Sequence, residues 1–166
     1  MKQLTEIEWQ LLQNGSINLY KDEVLFEEDC ELLKKVGYKV AYIDCSSLLS
    51  FETDITEALE WKKQFGYSPW GGNLDALNDG MRDTTLGYNG KFTLACKNFH
   101  KLVKVNKNMA MAFLDLLEYN SRDHLLEGCL FIGLIQTLDP YFSPENLGGR
   151  SANWNDKEWL HQNRGI

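Results

Sequence analysis

Two carboxylates, Asp75 and Asp79, stand four residues apart in the segment Gly71-Gly72-Asn73-Leu74-Asp75-Ala76-Leu77-Asn78-Asp79-Gly80. Read as a helix, this segment turns Leu74, Leu77 and Met81 to one side and Asp75, Asn78 and Asp79 to the other. Like charges at that spacing repel by roughly 0.2–0.5 kcal/mol. Asp79 also precedes a glycine near a predicted helix end, where the helix dipole disfavours an anion. Three kinds of chemistry need such a pair: divalent-metal binding, general acid/base catalysis, or ion pairing with cations on another protein. The loop in front, Tyr67-Ser68-Pro69-Trp70, adds two aromatics between glycines and a proline. Local rules broken without local benefit mark this stretch as a functional candidate.

The first two chemistries find little support elsewhere in the chain. A metal site on one helix face needs further oxygen ligands, and none can be placed from the sequence. The four cysteines (Cys30, Cys45, Cys96, Cys129) lack the close pairing of zinc sites, and His100, His124 and His161 supply no paired spacing. Buried thiols behaving as small hydrophobes are the simpler expectation. Glycine-rich nucleotide loops, HExxH and GxSxG are absent. The Gly71-Gly72 pair offers backbone N–H groups to an anion, yet Asp75 and Asp79 follow at once and no Lys or Arg comes before Arg82. His100, after Asn98-Phe99, is the best candidate for a catalytic base, but a lone histidine there is more often a surface or packing residue. No catalytic residue, metal or cofactor is expected.

Seventeen basic and twenty-four acidic residues give a net charge of −7 over 166 residues. That balance argues against nucleic acid or an anionic membrane as partner and suits a basic protein. Between Ala41 and Glu60 there is no Lys or Arg, whereas Asp44, Glu52, Asp54, Glu57 and Glu60 all occur. A solvated helix face explains that run on its own. No apolar stretch approaches the roughly 18–20 residues that span a bilayer, and Met1-Lys2-Gln3-Leu4-Thr5-Glu6 is not followed by a signal-peptide core. A cytoplasmic protein is expected.

The elements that must position the pair follow from caps and periodicity. Thr5-x-x-Glu8 is a capping box, with Leu4 and Trp9 at staple spacing, so a helix is expected from about Glu6 to a stop at Gly15. Ser16 to Tyr20 reads as a short strand. Asp22 caps a helix carrying Leu25, Leu32, Leu33 and Val36 that ends at Gly37. Tyr38 to Ile43 is strand-like, Asp54-x-x-Glu57 opens a helix turning Ile55, Leu59 and Phe65 inward, and a turn-rich stretch from Asp83 to Gly90 precedes a strand from Lys91 to Cys96. A short helix from Asn98 to Val105 precedes a longer one with Ala110, Phe113, Leu114 and Leu117 on one face. Cys129 to Ile135 is apolar throughout, as in a strand covered on both faces.

The resulting order, β-α-α-β-α-α-β, implies an α/β architecture: a small parallel sheet of about three strands flanked by helices. Three stretches are expected within one globular unit. Residues 1–37 form an N-terminal helical extension, 38–138 the α/β domain, and 139–166 an appendage closed by a helix from Lys157 to Asn163, with Trp154 and Trp159 near each other. The appendage is marked by Pro140, Pro144, Gly148 and Gly149.

From Trp70 to Asp79 the chain resembles the barstar family of intracellular ribonuclease inhibitors. The family pattern there is an aromatic, Gly, any residue, Asn-Leu-Asp-Ala-Leu, any residue, Asp. The order of elements agrees more widely, from Tyr38 to Gln136. The resemblance implies a three-stranded parallel sheet flanked by helices. It also implies a protein that blocks a basic ribonuclease or nuclease-type toxin by presenting helix carboxylates where the enzyme expects phosphate, as an immunity or self-protection protein. The partner-binding residues it implies are Tyr67, Trp70, Gly71, Gly72, Asn73, Asp75, Asn78 and Asp79. A further acid comes from the last helix, for which Glu118 and Asp123 both lie in range, with Glu118 preferred. Asn78 stands where the family's founding member carries a tryptophan, and Pro69 and Trp70 take its paired tyrosine positions. A non-inhibitory adaptor of the same fold is the alternative, followed by a metal-dependent hydrolase built on Asp75 and Asp79.

Overall fold

The computed structural model describes residues 3–84, 89–144, 147 and 151–166. Gly148, Gly149 and the centre of the turn expected between Asp83 and Gly90 lie outside the described residues.

Local capping starts the fold. Thr5 and Glu8 close their box as predicted, with Glu8 Oε2 accepting from the Thr5 amide and hydroxyl at 2.8 Å each. Helix α1 spans Glu6–Leu12. The other oxygen of Glu8 lies 2.6 Å from Lys91 Nζ, so the cap is also pinned to the sheet. Burial of Glu8 works against its ionisation, but Lys91 and Thr5 outweigh that and hold the carboxyl below its ordinary range. Strand β1 (Ile17–Tyr20) follows and is buried throughout. Asp22 caps α2 (Glu23–Lys35), accepting from the amides of Val24 and Leu25. The inward face of α2 is Phe26, Cys30 and Leu33, whereas Leu32 is 42 % exposed.

Strand β2 (Lys39–Asp44) leads into α3 (Leu48–Ala58), which begins earlier than Asp54. Ser47 and Ser50 form the cap instead, and Asp54, inside the helix, accepts from the Asp44 amide at 2.8 Å. The chain breaks at Glu60, whose φ is +49°, so Phe65 falls on a separate helix α4 (Trp61–Phe65). Then come α5 (Leu74–Asp83), β3 (Lys91–Lys97), α6 (Phe99–Val105), α7 (Lys107–Leu126) and β4 (Leu130–Gln136). The chain ends in the two-residue strand β5 (Asn153–Trp154) and two 3-10 turns, Asp156–Glu158 and His161–Arg164, in place of the α-helix expected from Lys157. Trp159 stays 52 % exposed.

Among the described residues five strands, all parallel, are arranged in the order β2-β3-β4-β1-β5. The class matches the expected parallel α/β sheet, with more than three strands because both ends of the chain contribute. β1 pairs with β4 on one side (Ile17 with Gly133, Leu19 with Ile135) and with β5 on the other (Asn18 with Asn153, Leu19 with Trp154). Residues 1–37 are therefore not helical alone; they supply a strand flanked on both sides. One face of the sheet is covered by α3 to α7, and the other by α1 and α2. Packing under α7 is tight: a Cβ on Gly133 would meet the Leu117 side chain at 2.9 Å.

A candidate protein-binding face on helix α5

Helix α5 is fixed by its cap, the core, α4 and α7 before its acidic face is considered. Asn73 caps it, its side-chain oxygen accepting from the Ala76 amide at 3.0 Å. Leu77 and Met81 are buried in the core, and Leu74 packs at its edge. Gly80 lets the helix approach α4 closely, since a Cβ there would stand 2.7 Å from the Trp61 ring. Asn78 accepts from Asn120 Nδ2 at 2.8 Å, joining α5 to α7. His124 Nε2 lies 2.9 Å from the Met81 carbonyl, one turn further along both helices.

The preceding loop is held by Trp70. Its side chain, expected as a partner-facing anchor, is only 1 % exposed and packs edge-on against Phe51. Its indole N–H donates to the Asn73 carbonyl at 2.8 Å, and its backbone N–H donates to Thr56 Oγ1 at 3.0 Å. Trp70 thus positions the loop and the helix start from within. Gly72 has φ +86°, a left-handed conformation that a side chain would strain. Gly71 is exposed, and Tyr67 is 54 % exposed with its ring against Trp61 and Phe65.

Asp75 is exposed and has no ion pair among the described residues. Asp79 is different: Arg82 Nη2 lies 2.9 Å from its Oδ1, both side chains being about half exposed. The local repulsion inferred from sequence is therefore partly offset by a cation one turn later. An exposed pair of this kind contributes about 0–1 kcal/mol, little enough for a better-placed cation to replace it.

Glu118, preferred from sequence as the last-helix acid, is 2 % exposed and accepts from the Ser16 amide at 3.1 Å and the Ser16 hydroxyl at 2.6 Å. It braces the entry to β1, and a partner cannot reach it without undoing that contact. Asp123, partly exposed, is the available acid of the two. Sequence reasoning missed Glu52 on α3, whose Oε1 lies 3.6 Å from where a Cβ on Gly72 would sit, beside the loop. It belonged to the run of acids noted above, but nothing in that run singled it out.

The other chemistries do not gather here. His100 Nδ1 accepts from the Leu138 amide at 3.2 Å, a bond that joins α6 to the end of β4 and occupies the nitrogen a base would use. Burial also lowers the pKa of His100. Among the described residues no three His, Cys, Asp or Glu side chains cluster in a way that would hold a metal ion, and no helix is long and apolar enough to cross a membrane. Cys30, Cys45 and Cys96 are buried free thiols, and Cys129 is a partly buried one.

What α5 offers, then, is a rigid helix with two outward carboxylates and a fixed loop, suited to charge-assisted hydrogen bonds with Arg or Lys of another protein. Comparison with known proteins bears on the same stretch. A family model described as Barstar (barnase inhibitor) matches residues 38–132, whereas no curated protein and no solved structure gives a significant match. The matched span is more than half of the chain and runs from β2 through the loop and α5 into β4, and the chain belongs to the barstar family, whose members are inhibitors rather than enzymes.

Proposed function

We propose that this protein inhibits a basic ribonuclease or nuclease-type toxin by inserting the α5 face and the Tyr67–Gly72 loop into the enzyme's active site, serving as an immunity or self-protection protein inside the cell. The observation that carries the reading is the contrast across α5 itself. Its inner side is locked by Leu77, Gly80 and Met81, while Asp75 and Asp79 project outward. An enzyme that cleaves RNA must collect cations around the scissile phosphate. Carboxylates presented from a rigid helix satisfy those cations with little ordering cost, and the net charge of −7 steers a basic partner inward. Asp75 and Asp79 act as the phosphate mimics, Tyr67, Gly71 and Gly72 as the loop contacts, and Trp70, Asn73 and Asn78 as the supports that set their position. Asp123 takes the last-helix role in preference to Glu118.

The test is capture by the immobilised full chain of a basic ribonuclease, either encoded beside it or secreted by the same cells, followed by RNA-cleavage assays with and without the inhibitor. Protection that is lost in Asp79→Ala and Asp75→Ala supports the plug. Tight capture of a partner with no nuclease activity and no protection of RNA would replace it with the adaptor reading.

A further inference from the structure

The two ends of the chain build a second concavity, and none of its lining comes from α5 or its loop. It is a cleft of about 360 Å3 between the end of α1 and residues 153–163. Its walls carry side-chain amides from Gln10, Asn14, Asn153 and Asn163 and the indoles of Trp154 and Trp159. Asp156 is the one carboxylate, and no Lys, Arg or His lines it among the described residues.

The walls are held from behind. Arg164 is buried and stacks on the Trp154 ring at 4.5 Å, while its guanidinium donates to the carbonyls of Pro140 (2.9 Å), Glu158 (2.7 Å) and Trp159 (2.9 Å). Glu158, also buried, accepts from the amides of Lys21 and Asp22 and from Asn155 Nδ2, which anchors the segment to the end of β1. Asn153 spends its NH2 group on the carbonyls of Asn14 (2.9 Å) and Ser151 (3.1 Å), so its side-chain oxygen is oriented. In contrast, the side-chain amides of Gln10, Asn14 and Asn163 form no hydrogen bond with the described residues. Trp159 keeps half of its large apolar surface in water, and apolar surface left exposed costs about 25 cal/mol per Å2.

This combination selects a chemistry. Each amide pairs a donor with an acceptor, which suits hydroxyl groups that do the same. An exposed indole offers a flat apolar plate for the C–H face of a ring. A lining with one carboxylate and no cation disfavours phosphate and carboxylate ligands. The volume lies at the small end of ligand sites, enough for one or two sugar rings. We propose that this cleft binds an uncharged saccharide of one or two units, independently of the α5 face.

The experiment uses the full chain with maltose, cellobiose and N,N′-diacetylchitobiose as probes, and adenosine and glucose 6-phosphate for comparison, read by the indole N–H signals in two-dimensional NMR. At least one neutral disaccharide is expected to shift the Trp154 and Trp159 signals saturably. Trp159→Ala, at a half-exposed position, is expected to keep the wild-type circular dichroism spectrum and to weaken that binding about tenfold or more, and Gln10→Ala with Asn163→Ala several-fold. Asp79→Ala is expected to leave it unchanged, so failure here and failure of the inhibitor reading are separable. The proposal is overturned if none of the disaccharides binds more tightly than about 10 mM, if adenosine or glucose 6-phosphate binds in preference, or if binding survives Trp159→Ala.

Discussion

Helices α2 and α5 both carry outward acids, on opposite faces of the sheet, and they use them in opposite ways. On α2, Glu23 and Glu27 share Lys97 at 2.6 and 2.7 Å, Glu31 meets Lys34 at 2.6 Å, and Glu28 lies 3.8 Å from Lys157. On α5, among the described residues, Asp79 pairs with Arg82 of its own helix and Asp75 has no ion pair. The count of acids is higher on α2, but its charges are already answered within the protein. On the proposed reading, the α5 face is distinguished by carboxylates that are rigidly supported and little paired within the protein, rather than by acidic composition.

The most disruptive way to break this contrast is to remove the support under α5. Trp70→Ala deletes a buried indole and its bond to the Asn73 carbonyl, and should cost about 3–5 kcal/mol in urea unfolding; partner binding should fall with it. Next comes the charge itself. Asp79→Ala should weaken the complex with a basic nuclease by about 2–5 kcal/mol, measured by calorimetry, whereas Glu27→Ala should leave it unchanged. An equal loss from both variants would mean that general acidity, not the α5 face, drives binding.

Acid titration sharpens the comparison from the other side. The hydrogen bond from Lys97 holds the Glu27 carboxyl below its ordinary value of 4.5, with burial opposing and Tyr42 assisting. A carboxyl depressed in the folded state contributes stability above its unfolded value and loses it as pH falls through the folded one. The melting temperature of Glu27→Gln should therefore fall less steeply than wild type below pH 4.5. The smallest effect belongs to Arg82→Gln. Freeing Asp79 from its neighbour should tighten a basic partner by no more than about 1 kcal/mol, chiefly through faster association at low salt.

Elements set by neighbours in sequence were legible. The Thr5–Glu8 box, the Asp22 cap and the apolar runs of β3 and β4 all depend on residues within a few positions, whereas the Asn73 cap of α5 emerged only from the structure. What required distant partners was not. The burial of Glu118 depends on Ser16, 102 residues away in sequence, and an acid on a helix looks the same whether it braces a strand or faces water. Trp70 read as an exposed anchor because it sits in a turn-rich loop. Thr56 and Asn73, on either side, take its two N–H groups and turn the ring inward. The early start of α3 was hidden for a similar reason: Asp54 has the chemistry of a cap but serves the Asp44 amide instead.

The placement of β1 also has a consequence for solubility. β4 is a seven-residue strand, Leu130–Gln136, apolar along most of its length. Without β1 beside it, that strand would form the open margin of the sheet, with a row of unsatisfied amides and carbonyls available to another chain. β1 takes up that row, and β5, only two residues long, leaves a margin too short to template further growth. The two ends of the chain thus act as a guard against edge-to-edge aggregation. A fragment trimmed to residues 38–136, which keeps all of β4, would lose that guard.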